Sequence, residues 1–283
     1  MEMVAAARLR RAEQRIDAMR PYAQAIRRMT QQVAEASEGT TDRVKLLAGR
    51  EQVRRVGIAL VTGDRGLAGS FNTNIVREGI RLRREFESEG AEVSFSIVGR
   101  RGNSTMGFRG ENVARSYVGF TDRPAFTDAR EISRDLVTGY VDEDLDRVEL
   151  VYNRYVSPLT QYVRRQTLLP LQQAEVFGEG IPEPEPEADE ELAEAHRRAY
   201  WDYEPEPDQL LPMLFEEYVD LSVYRALLES AASEHGARMT AMRTASENAQ
   251  DMIGDLTQEM NRARQSEITQ EILEVVAGAE ALG

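Results

Sequence analysis

The sequence contains no cysteine. Disulfide bonds, thiolate metal sites and thiol-based redox switches are therefore excluded. Histidine is nearly as scarce, with only His196 and His235 in the chain, and two histidines cannot by themselves make a convincing metal or acid–base site. Since no Ser/His/Asp set or carboxylate pair stands out either, the sequence predicts no catalytic residues, no cofactor-binding site and no metal site.

Long apolar runs are also missing. No run approaches the roughly eighteen residues of a membrane-spanning helix. Met1 opens directly into a basic amphipathic helix in place of a cleavable signal. We therefore expect no direct membrane insertion.

Positive charge is scarce mainly in one segment, which therefore carries most of the chain's net negative charge. The net charge is −14, but twelve Asp or Glu against two Arg between Glu179 and Asp208 give −10 there, which leaves only −4 for the other 253 residues. The first helix, by contrast, is basic. It lacks the interleaved aromatic residues and motifs of nucleic-acid binding, so no nucleic-acid partner is expected. An anionic membrane or an acidic protein surface remains open as its partner.

Proline is absent from Met213 to Gly283. Apolar residues recur there at an average spacing of about 3.6, which indicates a helix with one buried stripe. Unbroken, this helix would be roughly 105 Å long, a rod that needs a partner along its stripe. The stripe consists of Leu214, Tyr218, Leu221, Tyr224, Leu228, Ala231, Met239, Met242, Ala245, Ala249, Met252, Leu256, Met260, Ala263, Ile272, Val275, Ala279 and Leu282.

A seven-residue repeat near the amino terminus offers that partner. The pattern predicts a coiled-coil seam, with a kink expected at Pro21. We expect the two terminal helices to pair antiparallel; an ordinary helical bundle is the alternative. The two rows of the repeat are Leu9, Ile16, Ala23 and Thr30, and Ala12, Met19, Ile26 and Val33.

Strand and helix patterns alternate between these terminal helices. The runs 56–61, 93–98, 113–118, 148–156 and 160–169 predict five strands, with helices over 72–87 and 128–140 and a short one near Thr105. Such alternation predicts a Rossmann-like, largely parallel α/β sheet, whose last two strands form a hairpin. The expected domains are 1–37 (first helix), 53–178 (α/β domain), 179–212 (acidic, proline-rich loop) and 213–283 (last helix).

Two polar features carry alternative interpretations. The glycine-rich turn from Thr62 to Ser70 follows a strand, where phosphate loops occur, but it lacks the P-loop lysine and the G-x-G-x-x-G spacing. A tight turn is the favoured interpretation; a nucleotide-binding α/β enzyme with a coiled-coil dimerisation arm is the rival. Gln265, Thr269 and Gln270 lie where the seam is weakest, and face either an external partner or solvent.

Three blocks resemble the gamma subunit of F-type ATP synthase: residues 1–11, 61–74 and 238–276. The resemblance implies a central rotor shaft, not itself catalytic, that couples proton flow to ATP synthesis or hydrolysis. The implied partners are a ring of alpha and beta subunits around the paired helices, the epsilon subunit and the c-subunit ring. The implied place is the cytoplasmic face of a bacterial plasma membrane.

The resemblance also assigns roles to residues. Arg264, Gln265, Thr269 and Glu271 correspond to contacts with the catalytic subunits, Met1 and Arg238 to coupling between the helices, and Tyr203, Glu204 and Pro205 to the foot on the membrane ring. The sequence departs from the family pattern in three respects. The family's first helix begins about twenty residues, or roughly 30 Å of helix, before this one; the acidic segment is longer; and the redox cysteine pair of the chloroplast form is missing.

Overall fold

The computed structural model describes residues 1–36, 45–50, 52–172 and 204–280. Most of the predicted acidic loop lies outside these ranges, as does Tyr203.

The two terminal helices form the predicted antiparallel pair. Helix α1 spans Glu2–Ala36 and helix α5 spans Pro207–Glu280, 74 residues or about 111 Å. Midway along α1 the Tyr22 hydroxyl donates to Glu217 over 2.9 Å, and at the start of α1 Glu2 lies 3.7 Å from Arg243.

Both predicted rows of α1 face the interior of the pair. Six of their eight residues are buried, and Ile16 and Ala23 are half-buried. Thr30, the polar member, is fully buried and donates its hydroxyl proton to the Ile26 carbonyl over 2.8 Å. The helix continues through Pro21 without a break. Helix α5 also contains a proline, Pro212, and begins ahead of the predicted start at Met213; Pro207 fits because the first helical position needs no N–H partner.

A five-stranded sheet lies between these helices in sequence. Its strands are β1 Arg55–Val61, β2 Glu92–Val98, β3 Val113–Tyr117, β4 Arg147–Tyr155 and β5 Gln161–Leu169. Their order is β3-β2-β1-β4-β5, all parallel except the β4–β5 hairpin. The Rossmann-like α/β prediction is therefore confirmed.

Side chains of β1 alternate between two cores. Ile58 and Leu60 pack under helices α2 Phe71–Ser88 and α3 Arg100–Phe108. Ala59 and Val61 face the opposite core, which is built from helix α4 Phe126–Val141 and from α5. The first part of the long helix is thus a structural layer of the α/β domain as well as half of the coiled coil.

Candidate functional site

Helix α5 changes environment at Arg243. We call Pro207–Arg243 its proximal segment and residues 244–280 its distal segment. The proximal segment packs on α1 and the sheet, with Leu221, Leu228 and Ala231 buried. The distal segment extends past the start of α1 for about 55 Å, and every side chain described in it, through residue 278, is exposed. The predicted pairing of the apolar stripe therefore holds only for the proximal segment.

Many large apolar side chains project from the distal segment. A helix of a folded protein normally gains most of its stability from burying such residues, and contiguous apolar exposure marks an interaction surface. The exposed residues are Met252, Ile253, Leu256, Met260, Ile268, Ile272, Leu273, Val275 and Val276. This segment therefore has the properties of a helix that is covered by another protein.

The four residues assigned to contacts with catalytic subunits all lie in the distal segment. Arg264, Gln265, Thr269 and Glu271 are exposed. The Thr269 hydroxyl donates to the Gln265 carbonyl over 2.7 Å, so its proton is already committed within the helix. The Gln265 side chain has no hydrogen bond among the described residues and keeps its full capacity for an external partner.

A polar junction joins the shaft helices to the α/β domain. It consists of Arg8, Asp64, Arg65, Gly66, Asp122, Glu234, His235 and Arg238. Asp64 to Gly66 follow β1, Asp122 follows β3, and the remaining members come from α1 and α5. Because carboxyl ends of parallel strands meet at one edge of a sheet, both loops reach the helices together.

Arg238 is the member of this junction that the resemblance assigned to coupling. It pairs with Glu234 one turn earlier and donates to the Gly66 carbonyl from Nε at 3.4 Å and from Nη2 at 3.3 Å. Met1, the residue assigned with it, is exposed at the start of α1. The described contacts of Arg238 therefore run to α5 and the loop after β1, whereas Met1 lies at the free end of the pair.

Burial shifts two pKa values in the junction in opposite directions. It raises the pKa of Glu234, and the charge of Arg238 only partly offsets this. It lowers the pKa of His235, while the hydrogen bond to the Asp122 carbonyl acts the other way. The junction therefore favours a neutral imidazole.

The glycine-rich turn is filled by the protein's own groups. Asp64 accepts backbone N–H groups of Arg100 at 3.0 Å and Gly119 at 2.9 Å through its two carboxylate oxygens. These N–H groups are of the kind that would hold a phosphate. A Cβ on Gly63 would lie 2.7 Å from the Glu234 carboxylate. Gly63 thus leaves room for a side chain of the crossing helix, and Gly69 has a φ of +54°, in the left-handed region that favours glycine, in agreement with the tight-turn interpretation.

Helix α5 also fills the crevice between β1 and β4. Ser230 donates to the Val61 carbonyl over 3.3 Å, and Ser233 donates to the Asn153 carbonyl over 3.2 Å. Sheets of this type bind ligands in this region, beyond the carboxyl ends of the strands. The position that a nucleotide would take is occupied by the shaft.

Two of the three foot residues are described. Glu204 and Pro205 are exposed just ahead of α5, and Tyr203 lies outside the described residues. Across the ranges that the structure describes, we find neither a helix apolar enough to span a membrane nor a group of three metal-ligating side chains.

Sequence reasoning missed Arg8, Asp122 and Glu234 and assigned no role to His235. Asp122 and Arg8 are 114 positions apart, and Arg238 and Gly66 are 172 apart. No local pattern connects residues so distant. Of the missed residues only Arg8 lies in a block of resemblance, residues 1–11, while residues 61–74 contain its junction neighbours Asp64, Arg65 and Gly66.

Comparison with known proteins identifies the family. A model described as ATP synthase matches residues 1–282. The ATP synthase gamma chain of Rubrobacter xylanophilus is 43% identical over 282 residues, covering 100% of this chain and 91% of the relative. That of Moorella thermoacetica is 39% identical, covering 100% and 92%.

Solved structures agree with this result. A chain of the Tetrahymena thermophila mitochondrial ATP synthase central stalk and c-ring structure has a TM-score of 0.62 and 26% identity, covering 87% of this chain and 97% of that chain. A chain of the Euglena gracilis mitochondrial ATP synthase, with a TM-score of 0.58 and 19% identity over 98% and 95%, shares the fold. The chain belongs to the ATP synthase gamma chain family.

Proposed function

We propose that this chain is the rotating central shaft of an F-type ATP synthase and contributes no catalytic group itself. The distal segment carries the proposal. Even a first helix about twenty residues longer would cover only about 30 Å of it, so exposed apolar side chains further along, such as Leu273 and Val276, still require a surrounding protein. A ring of alpha and beta subunits fits, with Arg264, Gln265, Thr269 and Glu271 as contacts to the catalytic subunits.

The other assignments follow from the same role. Glu204 and Pro205, with Tyr203, form the foot that meets the c-subunit ring and the epsilon subunit. Met1 and Arg238 contribute to coupling between the two helices, Arg238 through its contacts with the loop after β1. The gamma chains of Rubrobacter xylanophilus and Moorella thermoacetica, which this chain resembles, are bacterial. This supports a place on the cytoplasmic face of the plasma membrane, as a peripheral subunit. The proposed units are 1–37, 53–178, 179–212 and 213–283, with the start of the last helix moved back to Pro207.

Coupling then works through differential contacts. An asymmetric helix presents a different set of side chains to each catalytic site, and each set shifts that site's open–closed equilibrium by the difference in its contact free energy. Moving such an equilibrium from 1:99 to 99:1 takes about 5.5 kcal/mol. Many weak contacts along the distal segment can supply this total, so no single residue need dominate.

The rival function, a nucleotide-binding enzyme, requires an open site. The shaft fills the crevice beside β1, and Asp64 accepts the neighbouring backbone N–H groups of Arg100 and Gly119. These contacts favour the shaft.

The test compares the chain alone with the chain in an alpha–beta assembly. We expect the isolated chain neither to bind nor to hydrolyse ATP, and we expect trypsin to cut at Arg262 and Arg264. In the assembly these two sites should become protected, while the digestion of the α/β domain stays the same. Tight ATP binding by the isolated chain, or undiminished cleavage in the assembly, would contradict the proposal.

A further inference from the structure

Asp122 contacts three separate parts of the molecule. Its Oδ2 accepts Arg8 Nη1 of helix α1 at 2.6 Å and lies 3.4 Å from Nη1 of Arg65 in the loop after β1. Its backbone carbonyl lies 3.3 Å from Nε2 of His235 on α5. One residue of the α/β domain thus meets both shaft helices at the same height.

The loop that carries Asp122 is itself held firmly. Its neighbour Thr121 accepts the Asp64 N–H at 2.8 Å and donates to the Asp64 carboxylate at 3.0 Å. Asp64 in turn holds the first N–H of α3, from Arg100. A force on Asp122 is therefore passed to the sheet edge and to α3 through hydrogen bonds, without a flexible element between.

Directional bonds add to the packing of the helices here. Interlocking side chains already resist sliding, whereas the hydrophobic contribution to that packing is itself non-directional. Charge-assisted hydrogen bonds have strict geometry and are stronger than neutral ones. For α1 one other such link to the sheet stands out: Glu13 accepts the Tyr155 hydroxyl at 2.5 Å, and Tyr155 is in β4. Arg8 and Glu13 hold α1 to two different strand ends.

We propose, resting on the shaft function above, that Asp122 is a positioning residue for coupling. It fixes the rotational angle of α1 and α5 relative to the α/β domain, so that torque entering the domain turns both helices together. Arg8 is its principal partner because this pair is shorter and less exposed than the Arg65 pair, whose arginine side chain is 63% exposed against 37%.

The experiment uses the complete ATP synthase complex reconstituted in vesicles, with Asp122→Asn in this chain. Its matched control is Asp135→Asn. Asp135 has nearly the same exposure, 26% against 25%, and also pairs with an arginine, Arg115 at 3.0 Å, but wholly within the α/β domain. Asp122→Asn weakens the ion pairs with Arg8 and Arg65, and Asp135→Asn weakens the ion pair with Arg115 and the hydrogen bond from the Tyr117 hydroxyl. Each variant thus weakens two contacts, so their effects on the melting temperature of the isolated chain should be similar.

We expect the variants to differ in protons pumped per ATP hydrolysed. Asp122→Asn should lower this ratio, because the neutral amide holds Arg8 more weakly than the carboxylate does, whereas Asp135→Asn should leave it at the wild-type value. Arg8→Gln should reproduce most of the defect and Arg65→Gln little of it. Arg8→Gln combined with Asp122→Asn should be no worse than the poorer single variant.

Equal ratios in Asp122→Asn and Asp135→Asn would overturn the inference, as would additive defects of Arg8→Gln and Asp122→Asn. The wild-type complex separates this inference from the proposed function. If the wild type itself pumps no protons, the shaft function fails and the inference with it. If the wild type pumps and Asp122→Asn pumps equally well, the role of Asp122 alone is refuted.

Discussion

The proximal and distal segments of α5 are one continuous helix in two different environments. In the proximal segment Leu228 is 1% exposed, between α1 and the domain. In the distal segment Leu256 is 57% exposed. Both leucines belong to the same 3.6-residue apolar stripe. The difference teaches that the stripe fixes which face of the helix is buried, and that the partner covering it comes partly from this chain and partly from outside.

The largest contrast should appear in hydrogen exchange of the isolated chain. Amides around Leu228 should exchange only through openings close to global unfolding, typically about 5–15 kcal/mol. Distal amides should open at a cost near zero, because a helix without tertiary packing is marginal in water. Mass spectrometry of deuterium uptake resolves the two segments. Equal protection on both sides of Arg243 would show that the distal segment is covered within this chain.

Truncation of one leucine in each segment should separate them next. Leu228→Ala should lower the free energy of unfolding by about 2–5 kcal/mol, because it leaves a cavity in the seam. Leu256→Ala should change it by no more than about 0.5 kcal/mol, as surface substitutions do. Urea denaturation of both variants measures the difference. If Leu256→Ala lowered the free energy of unfolding as much as Leu228→Ala, the predicted difference between the two segments would be contradicted.

The polar contacts of the distal segment should show a smaller effect, and only in the assembled complex. Gln265→Ala removes a free amide that can bond a partner, a loss of about 0.5–1.5 kcal/mol. Thr269→Ala should matter less, since the Thr269 hydroxyl proton is bound to the Gln265 carbonyl. Coupled ATP synthesis at normal subunit stoichiometry is the readout. An unchanged rate in the double variant would show that these side chains carry no torque.

The smallest effect should come from His235 in the proximal segment. Burial lowers its pKa, so the folded state prefers the neutral ring. In the unfolded chain histidine titrates near about 6.5. The stability from the neutral ring is complete above that pH and is lost as the pH falls towards the lowered folded pKa.

His235→Gln should therefore flatten the loss of stability between neutral and mildly acidic pH. The urea midpoint at a series of pH values checks this. Arg238, Arg8 and the Asp122 carbonyl face the ring and are unchanged in the variant. A slope equal to that of the wild type would show that His235 does not set the pH dependence.

Patterns within one element were predicted well from sequence. The heptad rows of α1 are buried as expected, Val56 to Val61 form a strand buried on both faces, and β4 and β5 form the hairpin. Periodicity reports the local angle of a side chain, and packing follows it. The same periodicity could not reveal that Met252 and Leu256 lack a partner here, because an apolar stripe does not indicate which chain packs against it.

The junction could not be predicted from local patterns. Asp122 meets Arg8 only because two strand ends and two helices converge in space. Asp122 lies in a polar loop that follows a short strand, and residues in such loops usually face solvent. The helix start was missed for a different reason: the absence of proline after Pro212 suggested a boundary, yet α5 continues through Pro212 as α1 continues through Pro21.

The antiparallel pairing of α1 with α5 also sets the order in which the chain can fold. Tyr22 and its partner Glu217 are 195 positions apart. At about 5–20 residues per second, a ribosome needs roughly 10–40 s to synthesise the intervening chain. During that time the apolar rows of α1 have been made while the helix that covers them has not. We therefore expect the nascent chain to depend on chaperones, and the coiled coil to close together with the α/β domain, because the proximal segment of α5 completes the core of that domain.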